Sequence, residues 1–282
     1  MVIFVKSYPK DFSRLDVLLR SIEDYNIDNI PVYICIDKVN KDMFHTMINS
    51  EGFNVIYSED IVSQYSDEEV YKLKDMSRWH IQQILKFEFC QNVSESENVL
   101  IVDSDSMFIR PFHINEFFDE DNNLFTIVRE VTKQIEWYAK DVPHLDIGID
   151  DQAQMMSFPR KTIQKKIERV GDIYDFGPPA ILWSKLVVQD FYDNYLLTNN
   201  LSFADIINEV PIEYNWYGEW LLKSKVIPFV PKEPIFKNIF WADQYHTLIK
   251  NNISKLDLAD SYMGLNLQTS FSKDIGVLDY EL

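Results

Sequence analysis

Three observations predict an α/β protein with a mostly parallel central sheet flanked by helices and a less regular second half. Short β-branched runs alternate with helix-periodic stretches through the first half of the chain. The run Asn98 to Val102 is apolar after its first residue, as in strands covered on both faces. The composition, 46% hydrophobic and 14% aromatic with only 7 glycines in 282 residues, supports a sizeable core and excludes a disordered or collagen-like chain.

Each element follows from its own pattern. Val2 to Val5 is a short apolar strand, halted by the polar Lys6-Ser7-Tyr8-Pro9-Lys10-Asp11 stretch. Phe12, Leu15, Leu18, Leu19 and Ile22 recur with helical spacing, and Ser13-x-x-Asp16 has the form of a capping box. Ile30 to Ile36 and Phe53 to Tyr57 read as strands, ending at Asp37 and at Ser58-Glu59-Asp60. One long helix is expected from Asp67 to Phe89, followed by the strand through Val102. Later elements are a strand over Phe125 to Val131, a charged helix over Thr162 to Arg169, a strand over Pro179 to Trp183 and a helix over Ser184 to Tyr195. An aromatic helix over Tyr214 to Leu222, a strand over Val226 to Val230 and a proline-broken tail complete the chain. No internal repeat, low-complexity segment or Gly/Ser linker interrupts it, so residues 1–282 read as a single unit.

Lysine and arginine number 27 against 45 acids, a formal charge of −18. A nucleic-acid binder needs a cationic surface, so that class is excluded, and electrostatic docking on anionic lipid is disfavoured. Carboxylates in this number supply hard oxygen ligands for Mg²⁺, Mn²⁺ or Ca²⁺. No apolar run approaches the ~18 residues that crossing a bilayer needs. The opening residues lack signal-peptide order, and Cys35 and Cys90 form neither a disulfide framework nor a metal spacing. A reduced, cytoplasmic protein is expected, with room for peripheral association at the inner face of a membrane.

The most informative segment is Val99-Leu100-Ile101-Val102-Asp103-Ser104-Asp105-Ser106-Met107-Phe108. In open α/β sheets ligands sit beyond the carboxyl ends of the strands, which singles out Tyr8, Asp37, Asp60 and above all Asp103. Two residues apart in extended chain, Asp103 and Asp105 face the same side. Carboxylates that close repel unless a divalent cation keeps both ionised.

With this Asp-x-Asp the chain resembles the GT-A glycosyltransferases. Val5-Lys6-Ser7-Tyr8, Trp79-x-x-x-Gln83-x-x-Lys86 and Glu213-x-x-x-Tyr217-Gly218 extend the resemblance, in order, to a small bacterial group of that class. It implies a nucleotide-sugar-binding half over 1–110 and an acceptor-binding half with a C-terminal tail over 111–282. It further implies Mn²⁺ or Mg²⁺ as cofactor, a nucleoside-diphosphate sugar (foremost a UDP-sugar) as donor, a glycan or lipid-linked glycan as acceptor, and a place in surface polysaccharide assembly. Asp105 would ligate the metal, while Asp103 would meet the ribose or the metal through water. Lys6, Ser7, Tyr8 and Asp37 would border the nucleoside. Trp79, Gln83 and Lys86 share a helix face, with Lys86 toward a phosphate and Gln83 toward a sugar hydroxyl. A third metal ligand would come from His246, with Asp243 beside it.

Glu213, Trp216, Tyr217 and Trp220 fall at i, i+3, i+4 and i+7, so a helix would point the carboxylate into an aromatic face. Desolvation there would suit Glu213 as a general base, with Glu219 second, and the rings would suit sugar faces. Gly177-Pro178-Pro179, with Asp175 and Trp183, is expected to shape an acceptor pocket. The acidic Asp146 to Asp151 stretch reads as a surface loop, a flap or a second cation site. Two alternatives stand beside the transferase: a haloacid-dehalogenase-like phosphohydrolase using Asp103 and Asp105, and a catalytically inactive sugar-binding module.

Overall fold

A computed structural model describes residues 1–130, 149–177, 180–268 and 276, the side chains of 130 and 149–156 excepted. In chain order the elements are β1 (Val2–Lys6), α1 (Phe12–Tyr25), β2 (Val32–Ile36), α2 (Lys41–Met47), β3 (Asn54–Tyr57), α3 (Ser58–Ile61), α4 (Asp67–Lys74), α5 (Arg78–Glu88), β4 (Asn98–Ile101), β5 (Ser106–Phe108), β6 (Phe125–Ile127) and β7 (Arg129–Glu130). They continue with α6 (Ile149–Lys166), β8 (Tyr174–Asp175), β9 (Ile181–Ser184), α7 (Lys185–Phe191), α8 (Phe203–Glu209), α9 (Glu213–Ser224), β10 (Val230–Lys232), β11 (Phe236–Ile239), α10 (Ala242–Lys250), α11 (Lys255–Ala259) and β12 (Gly264–Leu267).

The central sheet has the order β3-β2-β1-β4-β9, parallel except for β9, which runs antiparallel to β4. This is the mostly parallel α/β architecture that the alternating pattern predicts. Because successive side chains alternate across a strand, β1 sends Val2 and Phe4 to one core and Ile3 and Val5 to the other. Likewise Val99 and Ile101 of β4 face one layer, and Leu100 and Val102 the other. Both layers are therefore dry, which is why Leu100 and Ile101 sit in an unbroken apolar run. Cys35 and Cys90 are free and buried.

A second sheet of three strands, β11-β12-β5, pairs β5 antiparallel with β12. The chain passes from the central sheet (β4) to this smaller one (β5) through Asp103-Ser104-Asp105, closed by a hydrogen bond from the Ser106 N–H to the Asp103 carbonyl at 3.1 Å. The acid pair thus occupies a tight turn, where extended chain was expected.

Several expected boundaries shift for local reasons. The single helix of Asp67 to Phe89 is two, α4 and α5, because Ser66 and Ser77 each cap a new start by accepting from the N–H three residues on. Ser13-x-x-Asp16 forms no capping box: the 3-10 turn Pro9–Asp11 runs straight into α1, leaving Ser13 inside the helix. Ile149 to Asp151 open α6 rather than a loop, and 146–148 lie outside the described residues, as do Pro178 and Pro179. The strand expected over Val226 to Val230 begins only at Val230, and the tail carries β11, β12, α10 and α11 where only breaks were expected. No described helix is long and apolar enough to cross a membrane.

Candidate active site at the Asp103 turn

The strand order changes direction between β1 and β4, since β2 and β3 lie on the other side of β1. A crevice opens beyond the carboxyl ends of strands at such a reversal. Ser7-Tyr8, Asp37 and Ser58 directly follow β1, β2 and β3, and Asp103 follows β4 after Val102, so four chain segments deliver polar groups to one rim.

The centre of this rim is an ion triad. Lys86 of α5 donates from Nζ to Asp103 Oδ1 at 3.2 Å and to Glu213 Oε1 of α9 at 2.8 Å. The side chains of Lys86 and Glu213 are 3% and 2% exposed, that of Asp103 29%, so the ammonium lies between a buried carboxylate and one open to solvent. Burial disfavours the Lys86 ammonium, yet Asp103 and Glu213 together hold its pKa above the usual lysine value. Burial raises the Glu213 pKa despite the adjacent ammonium. Gln82, one helical turn before Lys86, adds a bond from Nε2 to Asp103 Oδ1 at 3.3 Å. Asp105 Oδ1 accepts from Asn266 Nδ2 of β12 at 2.7 Å, and the same amide reaches Ser106 Oγ at 3.0 Å.

Beside the triad, Lys6 Nζ donates to Asp37 Oδ1 at 2.8 Å and sits 4.1 Å from the centre of the Tyr8 ring. Ser58 Oγ donates to the same Asp37 oxygen at 2.7 Å. Burial pushes the Asp37 carboxyl upward, but Lys6 and Ser58 outweigh it and hold the pKa below the ordinary value. The Tyr8 hydroxyl donates to the Arg78 carbonyl at 2.8 Å, and the Arg78 guanidinium lies over the Tyr8 ring at 5.7 Å. Trp79, next in α5, is 53% exposed.

The structure therefore gathers Lys6, Ser7, Tyr8, Asp37, Lys86, Asp103 and Glu213 along one rim, and it alters several expected roles. Glu213 faces Lys86 rather than an aromatic pocket. Glu219 stands on another face of α9, buried, with Arg169 Nε and Gln164 Nε2 as donors. Trp216, Tyr217 and Trp220 offer no sugar platform: all three are buried with Phe191 and Trp183, and the Tyr217 hydroxyl accepts from the Ser184 N–H at 2.8 Å. Asp175 is buried against Arg160, and Trp183 lies in the core, so neither opens on an acceptor pocket. Gln83 is buried with no partner for Oε1 while Trp79 is exposed, so Trp79, Gln83 and Lys86 do not present one face to a ligand. His246 and Asp243 lie exposed on α10, and among the described residues no group of three His, Cys, Asp or Glu side chains is placed to hold a metal.

Gln82, Ser58, Arg78 and Asn266 are contributors that the sequence reading missed. Gln82 had a signal in its four-residue spacing from Lys86, and Ser58 in its place directly after a predicted strand. Asn266 reaches the rim through strand pairing that no local pattern announces.

The molecule is thus an α/β protein with a polar, charge-compensated rim at the reversal of its sheet. The chain belongs to the family of unknown function DUF6492, whose model matches residues 3–175. Among curated proteins none matches. Similar solved structures include a galactosyltransferase, LgtC, in complex with donor and acceptor sugar analogues (TM-score 0.47, 13% identity, 94% of this chain and 86% of that one). Mouse xyloside xylosyltransferase 1 is also similar (TM-score 0.44, 8% identity, 95% and 98%). The bifunctional glycosyltransferase WbbM matches with a TM-score of 0.48 and 12% identity over 94% of this chain, which spans 45% of that longer protein. At these scores and identities the likenesses carry no weight for function.

Proposed function

We propose that the chain is a glycosyltransferase that moves a sugar from a nucleoside-diphosphate donor, foremost a UDP-sugar, to a glycan or lipid-linked glycan acceptor in polysaccharide assembly, with Mn²⁺ or Mg²⁺ as cofactor. The observation that carries this reading is the Asp103–Asp105 turn at the switch point, with Lys86 locked between Asp103 and Glu213.

Both carboxylates are half-exposed at the turn and are hard oxygen donors of the kind Mg²⁺ and Mn²⁺ take. With no third acidic or histidine ligand grouped there among the described residues, water and donor phosphate would complete the shell. When bound, the cation would offset the charge that develops on the leaving diphosphate.

The chain's own residues do the rest. Lys86 orients Asp103 and lowers the negative potential of the rim before an anionic donor arrives. Gln82 and Asn266 restrain the two aspartates, which limits the reorganisation that binding demands. Arg78 and Trp79, at the open end of α5, offer a cation and an aromatic face to phosphate and base. Lys6, Asp37 and Ser58 form the polar floor on the nucleoside side. Glu213, enclosed and committed to Lys86, is a positioning residue and does not meet the acceptor hydroxyl.

Calorimetric titration with UDP in the presence and absence of Mn²⁺ tests the reading. Binding that requires Mn²⁺ and disappears in Asp105→Ala supports it, as does release of nucleoside diphosphate from a UDP-sugar. Metal-independent glycan binding that survives Asp105→Ala, or release of inorganic phosphate from simple esters, would replace it with one of the two alternatives.

A further inference from the structure

Glu88 follows Lys86 by two residues, about 200° round helix α5, and lines a different cavity of about 490 Å³. The residue is only 4% exposed. Its carboxylate accepts from the Tyr65 hydroxyl, from Asn92 Nδ2 at 2.7 Å and from Gln64 Nε2 at 3.3 Å. All three donors are neutral, and no cation among the described residues pairs with Glu88. A buried carboxylate without a counter-charge is costly unless it is protonated or a cation arrives from outside. Burial accordingly raises its pKa.

Gln91, 7% exposed, lines the same cavity, and its Oε1 has no hydrogen-bond partner. Native structures rarely leave such an acceptor unmet. The backbone supplies an independent pointer. Two π-helical turns, Phe89–Val93 and Tyr192–Leu196, both contribute to this cavity, through Gln91, Asn92 and Tyr192. Such turns are uncommon and concentrate at functional sites. Tyr65 and Tyr192 add aromatic walls. At the rim, Lys72 is already engaged by Asp205 at 3.0 Å, so it does not neutralise Glu88.

We propose that this cavity is a binding site for a small organic cation bearing a primary ammonium group, which donates to the Glu88 carboxylate and to Gln91 Oε1 between the tyrosine rings. An ammonium supplies the charge that Glu88 lacks and donors of the kind that Gln91 Oε1 lacks, and aromatic walls favour it further. A neutral sugar would leave Glu88 uncompensated, and an anion would meet the carboxylates of Glu68, Glu69 and Asp205 as well. A divalent metal would want several ligands converging on one point, and among the described residues no three His, Cys, Asp or Glu side chains are placed to hold one. The site is independent of the transferase reading, since none of its residues touches the Asp103 turn.

Calorimetry on the whole chain near neutral pH, with glucosamine, glucose and N-acetylglucosamine as probes, decides the matter. Glucosamine alone should bind saturably. Glu88→Gln, which keeps an acceptor for Asn92 but removes the charge, should weaken that binding about tenfold or more without lowering the thermal midpoint. Gln91→Leu should also weaken it while the protein becomes no less stable, because an orphaned acceptor is lost. No binding of glucosamine at millimolar concentration, equal binding of glucose or N-acetylglucosamine, or glucosamine affinity unchanged in both variants would overturn the proposal.

Discussion

Lys86 Nζ lies 2.8 Å from Glu213 Oε1, a pair of buried charges that spans 127 residues of sequence and ties α5 to α9 beside the acid turn. Removing one member of such a pair leaves the other buried and uncompensated, and that penalty exceeds what the intact pair contributes.

Lys86→Met should therefore destabilise the protein by about 3 kcal/mol near neutral pH. The folded-state pKa of Glu213 is already raised by burial and would rise further without the ammonium. A carboxyl whose folded pKa exceeds its unfolded one gains stability as pH falls through the folded value. The deficit of Lys86→Met should thus shrink on acidification, as urea titrations at a series of pH values would reveal. A deficit that grew toward acid would contradict the assignment.

Asp37 carries the opposite sign. Lys6 and Ser58 keep its folded pKa below the ordinary 3.8, so its contribution is present above that value and lost as pH falls through the folded pKa. Asp37→Asn should cost about 2 kcal/mol near pH 7, less than a fully buried pair because the side chain is a quarter exposed. The variant's stability should also depend less on pH on the acid side, read from thermal midpoints between mildly and strongly acidic buffers.

Two tryptophans separate ligand contact from packing. Trp216→Ala, in the core, should cost about 4 kcal/mol. Trp79→Ala, on the exposed start of α5, should change stability by no more than about 0.5 kcal/mol yet weaken Mn²⁺-dependent nucleotide binding. Chemical denaturation paired with calorimetry on both variants checks this; unchanged nucleotide affinity in Trp79→Ala would remove Trp79 from the site.

Gly218 marks a close approach between elements. A Cβ built there would lie 2.0 Å from the Phe176 ring, which packs directly on the α9 backbone. Gly218→Ala should therefore destabilise by about 2 kcal/mol through overpacking, and truncating the ring in Gly218→Ala/Phe176→Leu should recover part of that loss. Denaturant midpoints of the two single variants and the double variant give the coupling directly.

The sequence by itself determined β1, α1 and the strands β2, β3 and β4, because apolar periodicity is a local consequence of which faces are covered, whereas the short helices α2 and α3 and the break between α4 and α5 were not read from it. It also placed Asp103 beyond the end of a strand buried on both faces, since only an interior parallel strand tolerates the apolar run before it. The helical spacing of Trp216, Tyr217 and Trp220 was correct, but an aromatic face packed in a core has the same period as one that meets a ligand. Only the tertiary structure decided that this face is interior, that Gln82 rather than Gln83 shares Asp103 with Lys86, and that His246 joins no three-residue metal-holding group among the described residues. It alone brought Asn266 to Asp105 across 161 residues, through pairing of β12 with β5. Local pattern states which face of an element is apolar; which distant polar group meets it depends on how the elements dock, and docking is a property of the whole chain.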